Sequence, residues 1–221
     1  MSVRQIQLAD GRTGLERPSR EGDRAPTLFL LHGFGSDEAD LMGLQGWIDP
    51  RLRILAPRGH LRTEFGGFGW FNIRFDPHGG KHIDLDEVLA ARLELRRLVE
   101  PFVASGPVFL SGFSQGAMMS LGLALAEPAW VAGLVLMSGK WLPCFELPAE
   151  PSPFVRIPML VQHGVIDEVL PIGDGREIRD QIGPRMQTFT YSEYPIGHSI
   201  SEASAQEASE WLSSRLNAST P

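Results

Sequence analysis

One segment of the chain could supply a nucleophile. Gly112-Phe113-Ser114-Gln115-Gly116 follows a short apolar run and places a serine in the pattern Gly-x-Ser-x-Gly. This pattern is typical of a sharp turn from a strand into a helix, with the serine hydroxyl exposed at the bend. Glycine is expected on both sides because a side chain there would collide with the opposite limb of the turn. With 24 glycines in 221 residues, the pattern alone is weak evidence and needs support from the rest of the chain.

Activating a serine hydroxyl requires a base, and the base requires a carboxylate that orients it. His198 is the one histidine among six that follows every predicted strand, in a loop before the last predicted helix. Asp167 precedes it, after a predicted strand and a glycine. The order serine, acid, histidine is known for such triads and predicts that Ser114, Asp167 and His198 act together. Asp174 and Asp180 are the alternative acids, and we expect them to be helix caps or surface charges.

Acyl transfer also needs hydrogen-bond donors for the oxyanion that forms on the carbonyl oxygen. The backbone N–H of Gln115, the residue after the serine, is one candidate at the start of a predicted helix. The loop Leu31-His32-Gly33-Phe34-Gly35 offers the N–H of Phe34 as the second. The glycines of this loop could instead serve only a tight turn. The two interpretations are compatible because a tight turn is what aims the amide.

Apolar segments that resemble buried strands alternate with segments of helical periodicity. The predicted strands are residues 27–31, 53–56, 107–110, 131–137, 157–162 and 186–191, and the predicted helices are 83–104, the Ser114 turn to 127, 177–182 and 199–216. The alternation predicts an α/β fold with a mostly parallel central sheet and helices on both faces. No linker or repeat interrupts the sequence, so residues 1–221 are expected to form a single domain.

The predicted strands also organise the candidate site. In open α/β sheets, ligands bind beyond the carboxyl ends of the strands. His32, Ser114, Asp167 and His198 each follow a predicted strand. We therefore expect these residues to meet at one edge of the sheet.

Composition limits the partners. The formal net charge of −7 argues against a general nucleic-acid partner, because phosphate binding needs a basic field. The single cysteine, Cys144, cannot form an internal disulfide, which fits a reducing compartment. The first residues lack the apolar core of a signal peptide, and no segment reaches the roughly 20 apolar residues that span a bilayer. We therefore expect a cytoplasmic protein without an integral membrane segment.

No metal or organic cofactor is expected. His78 and His82 share a spacing of four residues that could suit a metal on a helix. However, Pro77, Gly79 and Gly80 make a helix unfavourable there. We interpret both histidines as loop residues.

Four segments together resemble the phospholipase/carboxylesterase family of α/β-hydrolases, which includes acyl-protein thioesterases, lysophospholipases and bacterial carboxylesterases. They are residues 31–41, 112–116, 163–171 and 197–201, in the family's order. The resemblance implies an α/β-hydrolase fold and a Ser114–Asp167–His198 triad. It also implies that the amides of Phe34 and Gln115 form the oxyanion hole.

The stretches that resemble the family least are those expected near the substrate. Gly69-Trp70-Phe71-Asn72-Ile73 resembles a family segment near the acyl site, with Asn72 in place of the usual acid. Ser138-Gly139-Lys140-Trp141-Leu142-Pro143 resembles a Ser-Gly-x-Leu-Pro loop with one extra residue. The short insertion at 139–156 leaves no room for a large lid, so we expect an open site. The predicted substrate-binding residues are Trp70, Phe71, Trp141, Leu142 and Leu170, with Phe34, Leu41 and Phe75 as further candidates, of which Leu41 and Phe75 could equally belong to the core.

These observations predict a serine hydrolase that cleaves carboxylic esters or thioesters of short-to-medium acyl chains through an acyl-enzyme on Ser114. An apolar groove should favour butyryl or longer chains over acetyl, because buried apolar area contributes about 25 cal/mol per Å². The alternatives are a lysophospholipase or acyl-protein thioesterase with a lipid-derived substrate, an inactive binding protein and a peptidase. A homodimer is left open, because an exposed apolar strip expected near Trp141 could serve substrate or partner.

Overall fold

The computed structural model of the chain describes residues 2–22, 24–76, 78 and 80–218, with the side chain of residue 218 left out. The strands are β1 (Arg4–Gln7), β2 (Thr13–Arg17), β3 (Thr27–Leu31), β4 (Arg53–Pro57), β5 (Leu61–Arg62), β6 (Phe68–Gly69), β7 (Ile73–Phe75), β8 (Lys81–Ile83), β9 (Val108–Phe113), β10 (Val131–Met137), β11 (Met159–Gly164) and β12 (Phe189–Tyr194). The helices are α1 (Glu38–Met42), α2 (Leu85–Val103), α3 (Gln115–Ala126), α4 (Ile172–Ile182) and α5 (Glu202–Ala218), and 3₁₀ turns occupy Gly43–Gly46, Pro128–Trp130, Pro153–Arg156 and Gly183–Arg185.

Eight strands form the central sheet in the order β1-β2-β4-β3-β9-β10-β11-β12. The strands β1, β2 and β4 pair antiparallel, and every later pair in this order is parallel. Two small antiparallel hairpins, β5–β6 and β7–β8, lie outside the sheet. The prediction of a mostly parallel α/β sheet is confirmed.

Helices cover both faces of this sheet. Successive residues of β3 alternate between two cores, with Phe29 and Leu31 in one and Leu28 and Leu30 in the other. Side chains of α2, α3 and α4 complete the first core, and those of α1 and α5 complete the second. The inward residues predicted for the last helix, Trp211, Leu212 and Leu216, are buried.

Several predicted boundaries are wrong by a few residues. Ile83 belongs to β8, and α2 begins at Leu85 after Asp84, whose side chain accepts a hydrogen bond from the Asp86 amide. The strand predicted at 186–191 lies at 189–194, and the one predicted at 157–162 lies at 159–164. Helix α4 begins at Ile172, whereas the prediction placed its start at 177. The prediction missed the first turn because Gly173 and Gly175 weaken its helical signal. Helix α5 begins at Glu202 rather than at 199, since residues 195–201 form the loop that carries His198.

The edge strand β1 and its neighbour β2 were not predicted because polar residues interrupt their apolar pattern. Glu16 of β2 is buried and accepts hydrogen bonds from Arg4 and Arg53 at 2.7 and 2.6 Å. A buried carboxylate held by two guanidinium groups is a stable arrangement. However, charged residues give the sequence of β2 the appearance of an exposed segment.

Candidate active site

Ser114 lies at a strained turn between β9 and α3. Its backbone has φ 54° and ψ −116°, in a region that residues with a side chain rarely adopt. A side chain at Gly112 would overlap the backbone of Gly116, and one at Gly116 would overlap the carbonyl of Leu31. Both flanking glycines are therefore required by close backbone contacts, as the sequence predicts.

The structure brings Ser114, His198 and Asp167 into one hydrogen-bonded chain. The distance from Ser114 Oγ to His198 Nε2 is 2.9 Å, and that from His198 Nδ1 to Asp167 Oδ2 is 2.7 Å. The second carboxylate oxygen, Oδ1, accepts the backbone N–H groups of Val169 and Leu170 at 2.9 and 2.8 Å. An imidazole that donates from Nδ1 to Asp167 leaves the lone pair of Nε2 free to accept the hydroxyl proton of Ser114.

The surroundings of Asp167 favour its ionised form. Burial by itself would raise the pKa of this carboxyl group, but the hydrogen bond from His198 and the two backbone amides outweigh it and lower the pKa. The alternative acids make other ion pairs: Asp174 pairs with Lys140 at 3.1 Å, and Asp180 pairs with Arg179 at 2.7 Å. Asp167 is therefore the carboxylate that contacts the imidazole.

Phe34 and Gln115, whose amides are the two candidate oxyanion donors, lie next to the hydrogen-bonded Ser114 and His198. Gln115 is the first residue of α3, so its backbone N–H has no acceptor within the helix. Phe34 lies in the turn after β3, where the next amide, that of Gly35, donates to the Phe68 carbonyl at 2.8 Å. A side-chain carbon at Gly33 would come within 3.4 Å of Ser114 Cβ, so this turn packs directly against the serine. Phe34, Ser114 and Gln115 line one cavity.

A buried hydrogen-bond network that the sequence did not predict connects the turn at Ser114 with the turn at Phe34. The side chain of Gln115 accepts the backbone N–H of Trp70 at 2.8 Å and donates to the Phe71 carbonyl at 2.7 Å. The indole N–H of Trp70 donates to the carbonyl of His32 at 2.9 Å. The serine turn and the Phe34 turn are thus held by the same segment.

The imidazole of His32 completes this network. Its Nδ1 lies 2.7 Å from the Gly33 carbonyl, and its Nε2 lies 2.9 Å from the Gly59 amide nitrogen. Because an amide N–H can only donate, Nε2 must accept and Nδ1 must carry the proton. Burial lowers the pKa of His32, which keeps this ring neutral. Through these two contacts His32 holds the turn after β3 against the Gly59 backbone.

A largely apolar cavity of about 710 Å³ opens beside Ser114 and His198. Its wall includes Ile73, Phe75 and Ile83 from the β7–β8 hairpin, Met118 from α3, and the loop residues Leu142 and Leu170. No lid covers it among the described residues, since 139–152 form a loop without helix or strand. The cavity could hold an acyl chain next to the serine.

Three of the predicted substrate-binding residues lie elsewhere. Trp70 and Phe71 are fully buried core residues. Their segment is hydrogen-bonded to the Gln115 side chain and to the His32 carbonyl. Trp141 is half-buried and packs edge-on against Phe145, with ring centroids 5.8 Å apart, rather than on the cavity wall. Leu41 belongs to the core, whereas Phe75 lines the cavity. Leu142 and Leu170 lie in the wall as predicted.

Within the described ranges, no group of three or more His, Cys, Asp or Glu side chains is arranged to hold a metal ion. The interpretation of His82 as a loop residue is wrong, because it lies in strand β8, with its Nε2 3.2 Å from Asp76 Oδ2. Pro77 and Gly79 lie outside the described residues. In the same part of the chain, no helix has the length and apolar character needed to cross a membrane.

The fold and the hydrogen-bonded serine, histidine and aspartate define an α/β-hydrolase. The chain belongs to the phospholipase/carboxylesterase family, whose sequence profile matches residues 17–216. It is 31% identical to a probable carboxylesterase of Oryza sativa subsp. japonica over 213 residues, covering 90% of this chain and 76% of the rice protein. It is 28% identical to acyl-protein thioesterase 1 of Eremothecium gossypii over 216 residues, with 87% and 89% covered. The crystal structure of Zea mays acyl-protein thioesterase 2 shares the fold with a TM-score of 0.75, at 23% identity and with 97% and 99% covered.

Proposed function

We propose that this protein is a serine hydrolase that cleaves carboxylic esters or thioesters through an acyl-enzyme on Ser114. The observation that carries the proposal is the hydrogen-bonded chain from Ser114 Oγ through His198 to the buried Asp167, at the wall of an apolar cavity. Membership of the phospholipase/carboxylesterase family supports this class of reaction.

The geometry suggests a role for each group. As Ser114 Oγ attacks the acyl carbonyl carbon, His198 Nε2 takes the hydroxyl proton and Asp167 stabilises the resulting imidazolium. The amides of Phe34 and Gln115 donate to the oxyanion of the tetrahedral intermediate. The imidazolium then protonates the departing alcohol or thiol as its bond to the carbonyl carbon breaks. Water, deprotonated by His198, releases the acid from the acyl-enzyme by the same steps.

The apolar cavity is the proposed acyl site. Each methylene that it buries contributes about 0.8 kcal/mol, which corresponds to about a fourfold gain in kcat/KM. We expect p-nitrophenyl esters to improve from acetyl to butyryl and beyond until the chain no longer fits. Parallel series of oxygen esters and thioesters would measure both the chain-length limit and the preferred bond. A flat series would contradict an acyl role for this cavity.

We propose two classes of natural substrate. Relatives named carboxylesterase and acyl-protein thioesterase support either a small ester or a lipid-derived acyl chain, including that of a lysophospholipid. We further propose that the chain acts as a single domain in the cytoplasm, with a homodimer as the alternative to a monomer. Light scattering and cell fractionation test these proposals.

The rival functions predict different labelling. An inactive binding protein would not react at Ser114 with a fluorophosphonate. A serine hydrolase would bind one equivalent of the probe covalently per chain. Labelling should vanish in Ser114→Ala and fall sharply in His198→Ala, because the base is then missing. A peptidase would also be labelled, but it would cleave peptide amides as well as esters.

A further inference from the structure

One carboxylate holds both ends of the loop that carries His198. This loop, residues 195–201, follows Tyr194 at the end of β12 and leads into the start of α5. The side chain of Glu207, in α5, accepts hydrogen bonds from the hydroxyl groups of Tyr194 at 2.6 Å and Ser192 at 2.7 Å. Glu207 therefore ties the strand before the loop to the helix after it.

Gln162 joins this cluster from the neighbouring strand β11. Its Nε2 donates to Glu207 Oε2 at 2.6 Å and to the carbonyl of Ser204, in the first turn of α5, at 2.9 Å. Because carboxylate and carbonyl oxygens can only accept, these two bonds fix the orientation of the Gln162 amide. Gln162 and Ser204 are 2% and 3% exposed, so the link between β11 and α5 is shielded from water.

The three donors keep Glu207 ionised. Burial by itself would raise the pKa of this carboxyl group, but the hydrogen bonds from Tyr194, Ser192 and Gln162 outweigh it and lower the pKa. Burial and the hydrogen bond to Glu207 raise the pKa of Tyr194, so its hydroxyl group remains a donor. Hydrogen bonds to an ionised acceptor are stronger than those between neutral groups.

The backbone of Tyr194 connects the cluster to both loops of the candidate active site. Its carbonyl accepts the amide N–H of Val165 and that of Ile196, each at 2.8 Å. The carbonyl of Ile196 in turn accepts the amide N–H of Ile166, the residue before Asp167, at 3.2 Å. The loop of the acid and the loop of the base are thus joined at the residue that the carboxylate holds.

We propose that Glu207 is a positioning residue for the base. Its hydrogen bonds fix the loop that places His198 Nε2 2.9 Å from Ser114 Oγ and His198 Nδ1 2.7 Å from Asp167 Oδ2. Those bonds go to side chains outside the triad, so Glu207 acts through the loop and not on the substrate. The inference rests on the proposed function, because the base must be aligned only if Ser114 is to be activated.

The test compares Glu207→Gln and Tyr194→Phe with wild type in the hydrolysis of p-nitrophenyl butyrate. The first variant removes the charged acceptor, and the second removes one donor and keeps the charge. We expect kcat to fall about tenfold or more in Glu207→Gln and by less in Tyr194→Phe, because a small displacement of a reacting group is costly. KM should change little, since neither side chain lines the cavity.

The pH profile gives a readout that a loss of stability alone would not move. If Asp167 is misaligned, it stabilises the imidazolium of His198 less, and the pKa of His198 falls. The acid limb of kcat/KM should therefore move to lower pH in both variants. Because Tyr194→Phe keeps the charge of Glu207, a shift in that variant comes from alignment and not from the lost carboxylate.

Glu210→Gln and Tyr191→Phe are the matched controls. Glu210 is exposed on the same helix and pairs with Gln206 at 2.8 Å, and Tyr191 lies in the same strand as Tyr194. Both controls should leave kcat and the acid limb unchanged, and circular dichroism checks that each variant folds. Equal losses of kcat in Tyr191→Phe and Tyr194→Phe would overturn the proposal. So would folded variants within about twofold of wild type with an unmoved acid limb. If Glu207→Gln does not fold, Tyr194→Phe decides.

Proton NMR of the His198 Nδ1–H separates this inference from the proposed function. A proton held in the 2.7 Å hydrogen bond to Asp167 resonates far downfield, and its loss in His198→Gln assigns it. The resonance should shift or broaden in Glu207→Gln and Tyr194→Phe and stay in place in Glu210→Gln. If it does so while wild-type protein hydrolyses no ester, the positioning role stands and the proposed function fails. If wild type hydrolyses esters and neither variant moves the resonance, the positioning role fails alone.

Discussion

The indole N–H of Trp70 donates a 2.9 Å hydrogen bond to the carbonyl oxygen of His32, and its backbone N–H donates to the side chain of Gln115. Trp70 therefore contacts both segments that carry the proposed oxyanion donors. An oxyanion hole works only if its donors are held where the charge develops. We interpret Trp70 as a positioning residue that contacts neither substrate nor nucleophile.

Replacing Trp70 with Phe tests this interpretation. The variant keeps an aromatic ring and the backbone N–H but loses the indole donor to His32. We expect kcat for p-nitrophenyl butyrate to fall about tenfold or more while KM changes little, because only the transition state needs the aligned amides.

The matched control is Trp211→Phe, which removes an indole from the core on the opposite face of the sheet. It should lower stability by a similar amount and leave kcat unchanged. If both variants lose kcat in parallel with stability, Trp70 is a core residue with no special relation to the oxyanion amides.

Gly116→Ala should disrupt the serine turn. An added methyl group would overlap the Leu31 carbonyl in β3, and neither backbone segment can move without disturbing the sheet. We expect a loss of several kcal/mol in the free energy of unfolding or a failure to fold. Urea denaturation followed by circular dichroism measures this loss.

The control for that substitution is Gly173→Ala in α4, where a methyl group would meet nothing within 4 Å. It should stabilise the protein by up to about 1 kcal/mol, because alanine is the better helix former. Equal effects at the two glycines would contradict the close contact at Gly116.

Acid should destabilise the protein through His32. Burial lowers the pKa of His32, so the unfolded chain binds a proton near pH 6.5 that the folded chain does not accept there. This histidine therefore costs no stability above about pH 6.5, and it lowers the free energy of unfolding as the pH falls further. His60, whose pKa is also lowered by burial, acts in the same direction.

The measurement compares urea unfolding at pH 7.5 and 5.5 for wild type, His32→Gln and His60→Gln. Each substitution should reduce the loss of stability between the two pH values, and the limit for one histidine is about 1.4 kcal/mol per pH unit. An unchanged loss in His32→Gln would mean that the ring accepts a proton in the folded state.

The chemistry was easier to predict from the sequence than the substrate contacts. Strand β3 and strand β10 lie where the apolar runs at 27–31 and 131–137 predict, since buried parallel strands have a strong sequence signal. Ser114, Asp167 and His198 are recognisable because such a site requires particular residue types after particular strands.

The aromatic residues near the site carry no such signal. Trp70 stands between Gly69 and Phe71, and Trp141 between Lys140 and Leu142. Nothing in these neighbours distinguishes a ring that faces a cavity from one that faces the core. The structure buries Trp70 because its indole has a carbonyl partner in the core. The hairpin β7–β8, which forms part of the cavity wall, has strands of only three residues and no clear periodicity.

The most direct test of the proposed mechanism is mass spectrometry of the enzyme quenched in acid during turnover of p-nitrophenyl butyrate. We predict one butyryl group per chain, located on Ser114 by peptide mapping, and none in Ser114→Ala, whose kcat should fall by on the order of 10⁴-fold or more. Butyryl on another residue, or undiminished turnover by Ser114→Ala, would contradict the account.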